Sequence, residues 1–173
     1  MDDIIWSIQP NIGLGNVRMG MTPEEVMRAE PRLGPPESTS PSFGDTQMNE
    51  YRAIHHPRFS YEKGRLYDID TDFHTAGVFL GDLEIYKAEP AVVLRRLFDM
   101  NGEQAYTDLG DLFFRNLNIN TGGFYNTREH RFFRPGEDNE DDDTRGLAIL
   151  PVSARPVMMK DARPIRWEDM PLP

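Results

Sequence analysis

Asp68, Asp70 and Asp72 alternate within Arg65-Leu66-Tyr67-Asp68-Ile69-Asp70-Thr71-Asp72. Residues two apart on a strand share a face, so three carboxylates are expected side by side. Such a row has three uses: hard oxygen ligands for Ca²⁺ or Mg²⁺, a contact surface for the arginines and lysines of a basic partner, or the solvated face of an edge strand. Histidine supplies one further cluster, His55-His56-Pro57, while His74 and His130 stand apart. Neighbours on a strand point to opposite sides, so the histidine pair makes a poor metal clamp and reads as a polar strand end. Metal sites also want cysteine, or acids at fixed spacing. The chain has no cysteine, so a nucleophile must be Ser or Thr, and Ser60 and Ser153 lie in no nucleophile-elbow motif. Gly13-Leu14-Gly15 lacks the third glycine and the immediate helix of a dinucleotide-binding fingerprint, which leaves it as a turn. The expectation is a non-enzyme with no catalytic, cofactor-binding or metal-ligating residues.

The formal net charge is −10, and Glu137-Asp138-Asn139-Glu140-Asp141-Asp142-Asp143 carries six of the acids, leaving −4 for the rest. Phosphate contacts need a basic footprint, so nucleic acid is not an expected partner. A field of this sign attracts a basic protein instead, although acidity that serves only solubility gives the same composition. On the partner reading, the contacts are Asp68, Asp70 and Asp72, with Glu137, Asp138, Glu140, Asp141, Asp142 and Asp143 on an exposed acidic loop. Tyr61 and Tyr67 would be the exposed aromatic anchors.

These residues need a scaffold. A chain of 173 residues, 38% of them hydrophobic, with Phe 10, Tyr 6 and Trp 2, is large enough for one domain with its own core. Residues 4–20 read as short strands around Gly13-Leu14-Gly15. Thr22-Pro23-Glu24-Glu25 then predicts a helix, because Thr22 and Glu25 form a capping box and Pro23 fits the first helical position. Pro31 or Gly34-Pro35-Pro36 ends it. Residues 34–47 read as a loop. Arg58–Glu62 and Arg65–Asp70 flank Lys63-Gly64 as a β-hairpin, Thr71 to Leu80 reads as a strand, and Leu83-Glu84-Ile85-Tyr86 as another. Pro90 opens a helix whose Val93, Leu94, Leu97 and Phe98 share a face; Asn101-Gly102 stops it. A second hairpin is expected around Asp108-Leu109-Gly110-Asp111. Strand signals follow near Gly123-Phe124-Tyr125, His130-Arg131-Phe132-Phe133 and Leu147–Leu150. The tail from Pro151 should be extended, with Trp167 as an anchor. The fold class is therefore α+β, an antiparallel sheet with helices on one side. Pro23 and Pro90 lie 67 positions apart, and the same offset pairs Val26 with Val93. Two diverged strand–helix–hairpin–strand repeats, 4–80 and 81–150, would produce this order; so would any two such units in an α+β protein.

Ile12-Gly13-Leu14-Gly15-Asn16-Val17-Arg18-Met19-Gly20-Met21-Thr22-Pro23-Glu24-Glu25-Val26, closed by Leu33-Gly34-Pro35-Pro36, resembles the opening of small bacterial α+β proteins. One group with this opening is the outer-membrane lipoproteins of the SmpA/OmlA (BamE-like) type, which assist β-barrel assembly and carry a lipidated cysteine that this chain lacks. A second comprises cytoplasmic proteins similar to immunity proteins of polymorphic toxin systems. That resemblance implies a small, acidic, non-catalytic inhibitor of a basic toxin or effector, such as a nuclease-type domain. Met1-Asp2-Asp3 is acidic where a secretory leader is basic, and no stretch approaches the ~18 apolar residues of a membrane helix. The expected location is cytoplasmic. The alternative function is a small-molecule or lipid-binding domain, since an aromatic-rich sheet with a helix can enclose an apolar pocket.

Overall fold

Residues 4–41, 47–108, 110–134 and 143–171 are described by the structure, a computed structural model. The chain opens with β1 (Trp6–Gln9), β2 (Gly13–Leu14) and β3 (Val17–Arg18), a small antiparallel meander. A Cβ on Gly13 would sit 2.0 Å from the Val17 carbonyl oxygen, so only glycine permits this approach. Helix α1 (Pro23–Ala29) begins with the expected capping box. Thr22 Oγ1 accepts from the Glu25 amide at 3.3 Å, and Glu25 Oε2 accepts from the Thr22 amide at 2.8 Å. The helix stops just before Pro31, and a single 3-10 turn, Pro31–Leu33, follows.

Four antiparallel strands come next: β4 (Ser38–Pro41), β5 (Gln47–Tyr51), β6 (Arg58–Glu62) and β7 (Arg65–Asp72). Part of the stretch expected as a loop, 34–47, is thus strand β4; residues 42–46 lie outside the described residues. The expected strand from Thr71 to Leu80 is broken by a turn after Asp72. It resumes as β8 (Val78–Leu80), which pairs with β9 (Leu83–Glu84) and runs parallel to β1, Trp6 opposite Val78. Helix α2 (Pro90–Asn101) ends at Gly102, in the left-handed conformation. The second antiparallel series is β10 (Ala105–Asp108), β11 (Asp111–Phe114) and β12 (Ile119–Gly122), with a short hairpin of β13 (Tyr125–Asn126) and β14 (Arg131–Phe132) before β15 (Gly146–Ile149). The tail is less extended than expected: it holds α3 (Arg155–Met158) and β16 (Arg163–Ile165), which adds to β10.

The large sheet runs β16-β10-β11-β12-β15-β7-β6-β5-β4. The first half of the chain contributes four strands and the second five, counting β16 of the tail, and they join where β7 pairs with β15, Ile69 opposite Ile149 and Asp70 opposite Ala148. One buried cluster takes Phe59, Tyr61 and Ile69 from the first half and Leu97, Phe114 and Ile149 from the second, with Trp6, Leu14 and Val26. The architecture is mixed α+β. Because β7 has neighbours on both sides, the reading of its aspartates as an edge-strand face is corrected: they stand on a central strand.

The register carries a second correction. Lys63 and Gly64 both take positive φ, 51° and 73°, the conformation of the tight hairpin turn. Tyr61 lies opposite Leu66, yet Ser60 lies opposite Asp68, so Tyr67 is an extra residue on β7. This bulge shifts the side-chain phase by one. Leu66 and Ile69 both face the core, while Asp68 and Asp70 share the other face with Ser60 and Arg58.

Candidate functional site

The acids of β7 meet a turn, 51–58, at a cleft of about 490 Å³. Asp70 and Asp72 line it, together with Tyr51, Ile54, His56 and Arg58. Arg58 sits opposite Asp70 because of the bulge, and its Nε donates to Asp70 Oδ2 at 3.0 Å, with Nη2 bonding the same oxygen. Asp72 closes its own turn: Oδ1 accepts from the His74 amide at 2.9 Å, while the Asp72 amide donates to Thr75 Oγ1 at 3.2 Å. Asp72 is exposed where it lines the cleft. Tyr51 and Ile54 stand on the rim, 36% and 67% exposed.

Asp68 lies one step along the same face but is not a contact residue. Its Oδ1 is buried without a hydrogen-bond partner. Burial first, and then the charge of Asp70 two residues on, push the carboxyl up to about 8. Asp68 therefore holds its proton near neutral pH, and the face carries less negative charge than its composition declares.

Tyr61, expected as an exposed anchor, is buried at 1% exposure. It shares the buried face of β6 with Phe59, two residues away. Its hydroxyl donates to Glu50 Oε2 at 3.1 Å, and Arg52 Nη2 approaches the same oxygen at 3.1 Å. The Arg52 guanidinium also stacks on Phe59, 5.3 Å from the ring centre. Burial, and then the Glu50 charge, drive the Tyr61 hydroxyl well above the usual phenol range. Of this buried group only Arg52 lines the cleft, at its floor. Tyr67 is half-buried at the bulge, and burial with the Asp68 charge raises its hydroxyl too.

Of the acidic stretch, 137–142 lie outside the described residues. Asp143 is not a free anion: its side chain is 12% exposed and grips Arg145, itself 4% exposed, at 2.7 Å. Arg145 spans Phe124 and Phe133, with its guanidinium 5.9 and 5.4 Å from the two ring centres, and donates to the Tyr86 carbonyl at 3.0 Å. Asp143 is corrected from partner contact to internal counter-charge.

His55 and His56 sit in a turn, not at a strand end, with ring centroids 4.2 Å apart. Burial, and then the His55 charge, hold His56 below its usual range. His56 Nδ1 is buried without a partner. No bond links His56 to a carboxylate among the described residues, and no group of three or more metal-ligating side chains is placed to hold an ion there. Thr71 and Thr75 hydroxyls are already engaged, with Tyr86 and Leu147 and with Asp72. The arrangement offers recognition: a carboxylate at the mouth, a guanidinium beside it and two apolar side chains on the rim. Arg58 was missed in the sequence because an unbulged hairpin sets it against Ile69; Tyr51 and Ile54 carried no motif at all.

A second cleft, about 880 Å³, lies between α2 and β14. Trp167 and Phe132 form its apolar side, 5.8 Å apart, and Arg95 stacks on Trp167 at 5.4 Å. Trp167 also packs edge-on against Phe98 at 5.8 Å, which is the anchoring role expected of it. Comparison with protein-family models, with curated proteins and with solved structures gives no match.

Proposed function

We propose that this chain is a non-catalytic protein-binding inhibitor that neutralises a basic toxin or effector in the cytoplasm, as immunity proteins do. The observation that carries the reading is the 490 Å³ cleft, where Asp72 reaches the surface beside exposed Tyr51 and Ile54. A carboxylate ringed by apolar side chains suits an arginine or lysine anchor, because the apolar rim excludes water from the pair. Asp70 contributes through its shared bond with Arg58, and the net charge of −10 speeds encounter with a cationic surface. Asp68, Tyr61 and Asp143 are left out of the contact set by their burial. The matching order of helix followed by four sheet strands in the two halves fits a duplicated unit, and a duplication is part of the proposal.

The test is co-expression with the product of the neighbouring gene. A stoichiometric complex is expected, with affinity falling as salt rises. Asp72→Asn combined with Ile54→Ala is expected to weaken it by about tenfold or more. Unchanged affinity in that variant, or turnover of any substrate by the purified chain, defeats the reading. One observation favours a different one: the 880 Å³ cleft is large enough for a small organic or lipid ligand. Native mass spectrometry of the purified chain decides it, since a retained ligand adds mass.

A further inference from the structure

The cleft beside β7 holds polar nitrogens that the described residues leave without a partner. Arg52 lines it at the floor, with its side chain 1% exposed. Its Nε donates to the Gly34 carbonyl at 3.3 Å and its Nη2 lies 3.1 Å from Glu50 Oε2, but Nη1 is buried with no hydrogen-bond partner. His56 lines the same cleft, and its Nδ1 is buried and unpartnered too. Burial, and then the His55 charge, favour the neutral ring, and a neutral imidazole that carries its proton on Nδ1 donates from there. A buried donor without a partner is costly, and two of them in one cleft mark a place for an acceptor.

The acids nearby do not fill that place. Asp70 is bonded by both Nε and Nη2 of Arg58. Glu50 accepts from Tyr61 and balances the Arg52 charge, which leaves Nη1 as a fixed donor. Asp72 is different: it is exposed, spends Oδ1 on its own turn and enters no ion pair among the described residues. The cleft therefore suits two opposite charges carried close together, an acceptor for the floor and a cation for Asp72. A C-terminal arginine or lysine carries both in one residue.

We propose, on the reading of this cleft as the seat of a basic protein partner, that it receives that partner's C-terminal residue. The α-carboxylate accepts from Arg52 Nη1 and His56 Nδ1, and the side-chain cation meets Asp72. A chain end fits where a passing segment does not. The volume of 490 Å³ is in the lower half of the range for ligand pockets, and an internal glutamate would have to bring main chain both in and out past Tyr51 and Ile54 on the rim. Capture of a terminal carboxylate is an established mode of peptide recognition. A bond from a guanidinium to a carboxylate is charge-assisted and directional, so a terminal amide in its place is a poor substitute.

The probe is an N-acetylated tetrapeptide, glycine-glycine-leucine-arginine, with a free C-terminal acid, compared with its C-terminal amide and with free arginine. Calorimetry on the full chain gives the affinities, and nitrogen NMR follows the His56 ring. The acid is expected to bind about tenfold tighter than the amide and to move the His56 Nδ1 signal. Arg52→Lys should remove that preference. Because Arg52 is packed against Glu50, His56→Ala is the second variant, and it should cut the preference to about threefold or less. Asp72→Asn should weaken acid and amide alike, since it takes away the side-chain contact. Equal binding of the amide overturns the proposal but leaves the basic partner itself standing, because co-expression reads that complex separately. An acid preference that survives His56→Ala in full overturns it as well. So does free arginine binding as tightly as the peptide, which makes the ligand a small molecule, or no binding of the acid at millimolar peptide.

Discussion

The two clefts hold their charges differently: Asp70 and Asp72 stand with Arg52 and Arg58 in the first, while Arg95 and Arg96 rise from α2 in the second. At the mouth of β7 the acids belong to a central strand, so neighbours on both sides reach them. Asp70 is tied to Arg58, and Asp68 is held toward its protonated form. Along α2 the arginines stand on a helix surface, and Arg95 and Arg96 pair there with the exposed Asp99 and Asp82. Formal charge therefore misjudges the face of β7, which is partly neutralised from within, whereas the pairs along α2 stay at the surface.

The contrast is sharpest behind the acidic cleft. Glu50 and Arg52 are buried, their side chains 4% and 1% exposed. Glu50→Ala leaves the Arg52 guanidinium without a counter-charge in the interior, and a loss of about 3–5 kcal/mol in urea unfolding is expected. Replacing Glu50 and Arg52 together by Met and Leu should recover much of that loss, because an apolar pair has no charge to desolvate. A loss under about 1 kcal/mol for Glu50→Ala would show that water reaches this floor.

The Asp68–Asp70 pair gives the next effect, through pH. Its folded-state affinity for a proton is raised, so the stabilising contribution is fully present below about 3.8 and is lost as pH rises through about 8. Urea midpoints should fall between pH 5 and pH 8.5, and Asp68→Asn should flatten that slope. A slope unchanged in the variant would assign it to other groups. Smaller again is Tyr61→Phe, which removes the donor to buried Glu50 and should cost about 1–2 kcal/mol, read by the same melts.

What was legible in the sequence were features set by local chemistry. Thr22-Pro23-Glu24-Glu25 announced α1 through its caps, Lys63-Gly64 announced the hairpin through positive φ, and α2 showed its apolar face. Strands β5 and β12 went unread because their pattern is polar. Glu50 is the buried residue of β5, and Asn120 interrupts Ile119 and Thr121 on β12. The bulge at Tyr67 was invisible, since nothing in the local residues demands it. It turned Asp68 and Asp70 away from the face of Leu66 and brought Arg58 to Asp70, while Tyr61 follows Phe59 into the core by plain alternation. The arginine groove joins α2 to residues some forty positions later, a distance no motif spans.

The smallest effect separates the two regions most cleanly. Asp82 is 86% exposed in its pair with Arg96 at 2.9 Å, so Asp82→Asn should change unfolding by less than about 0.5–1 kcal/mol. Asp70→Asn makes the matched alteration on the acidic side, removing the acceptor of Arg58 from a pair exposed at 45% and 27%. Because that carboxylate also raises the proton affinity of Asp68, its loss should lower the pH at which stability declines as well as weaken the sheet face. If both variants behaved alike, with small stability changes and no pH signature in either, the distinction between an internally compensated acid face and the surface pairs along α2 would be gone.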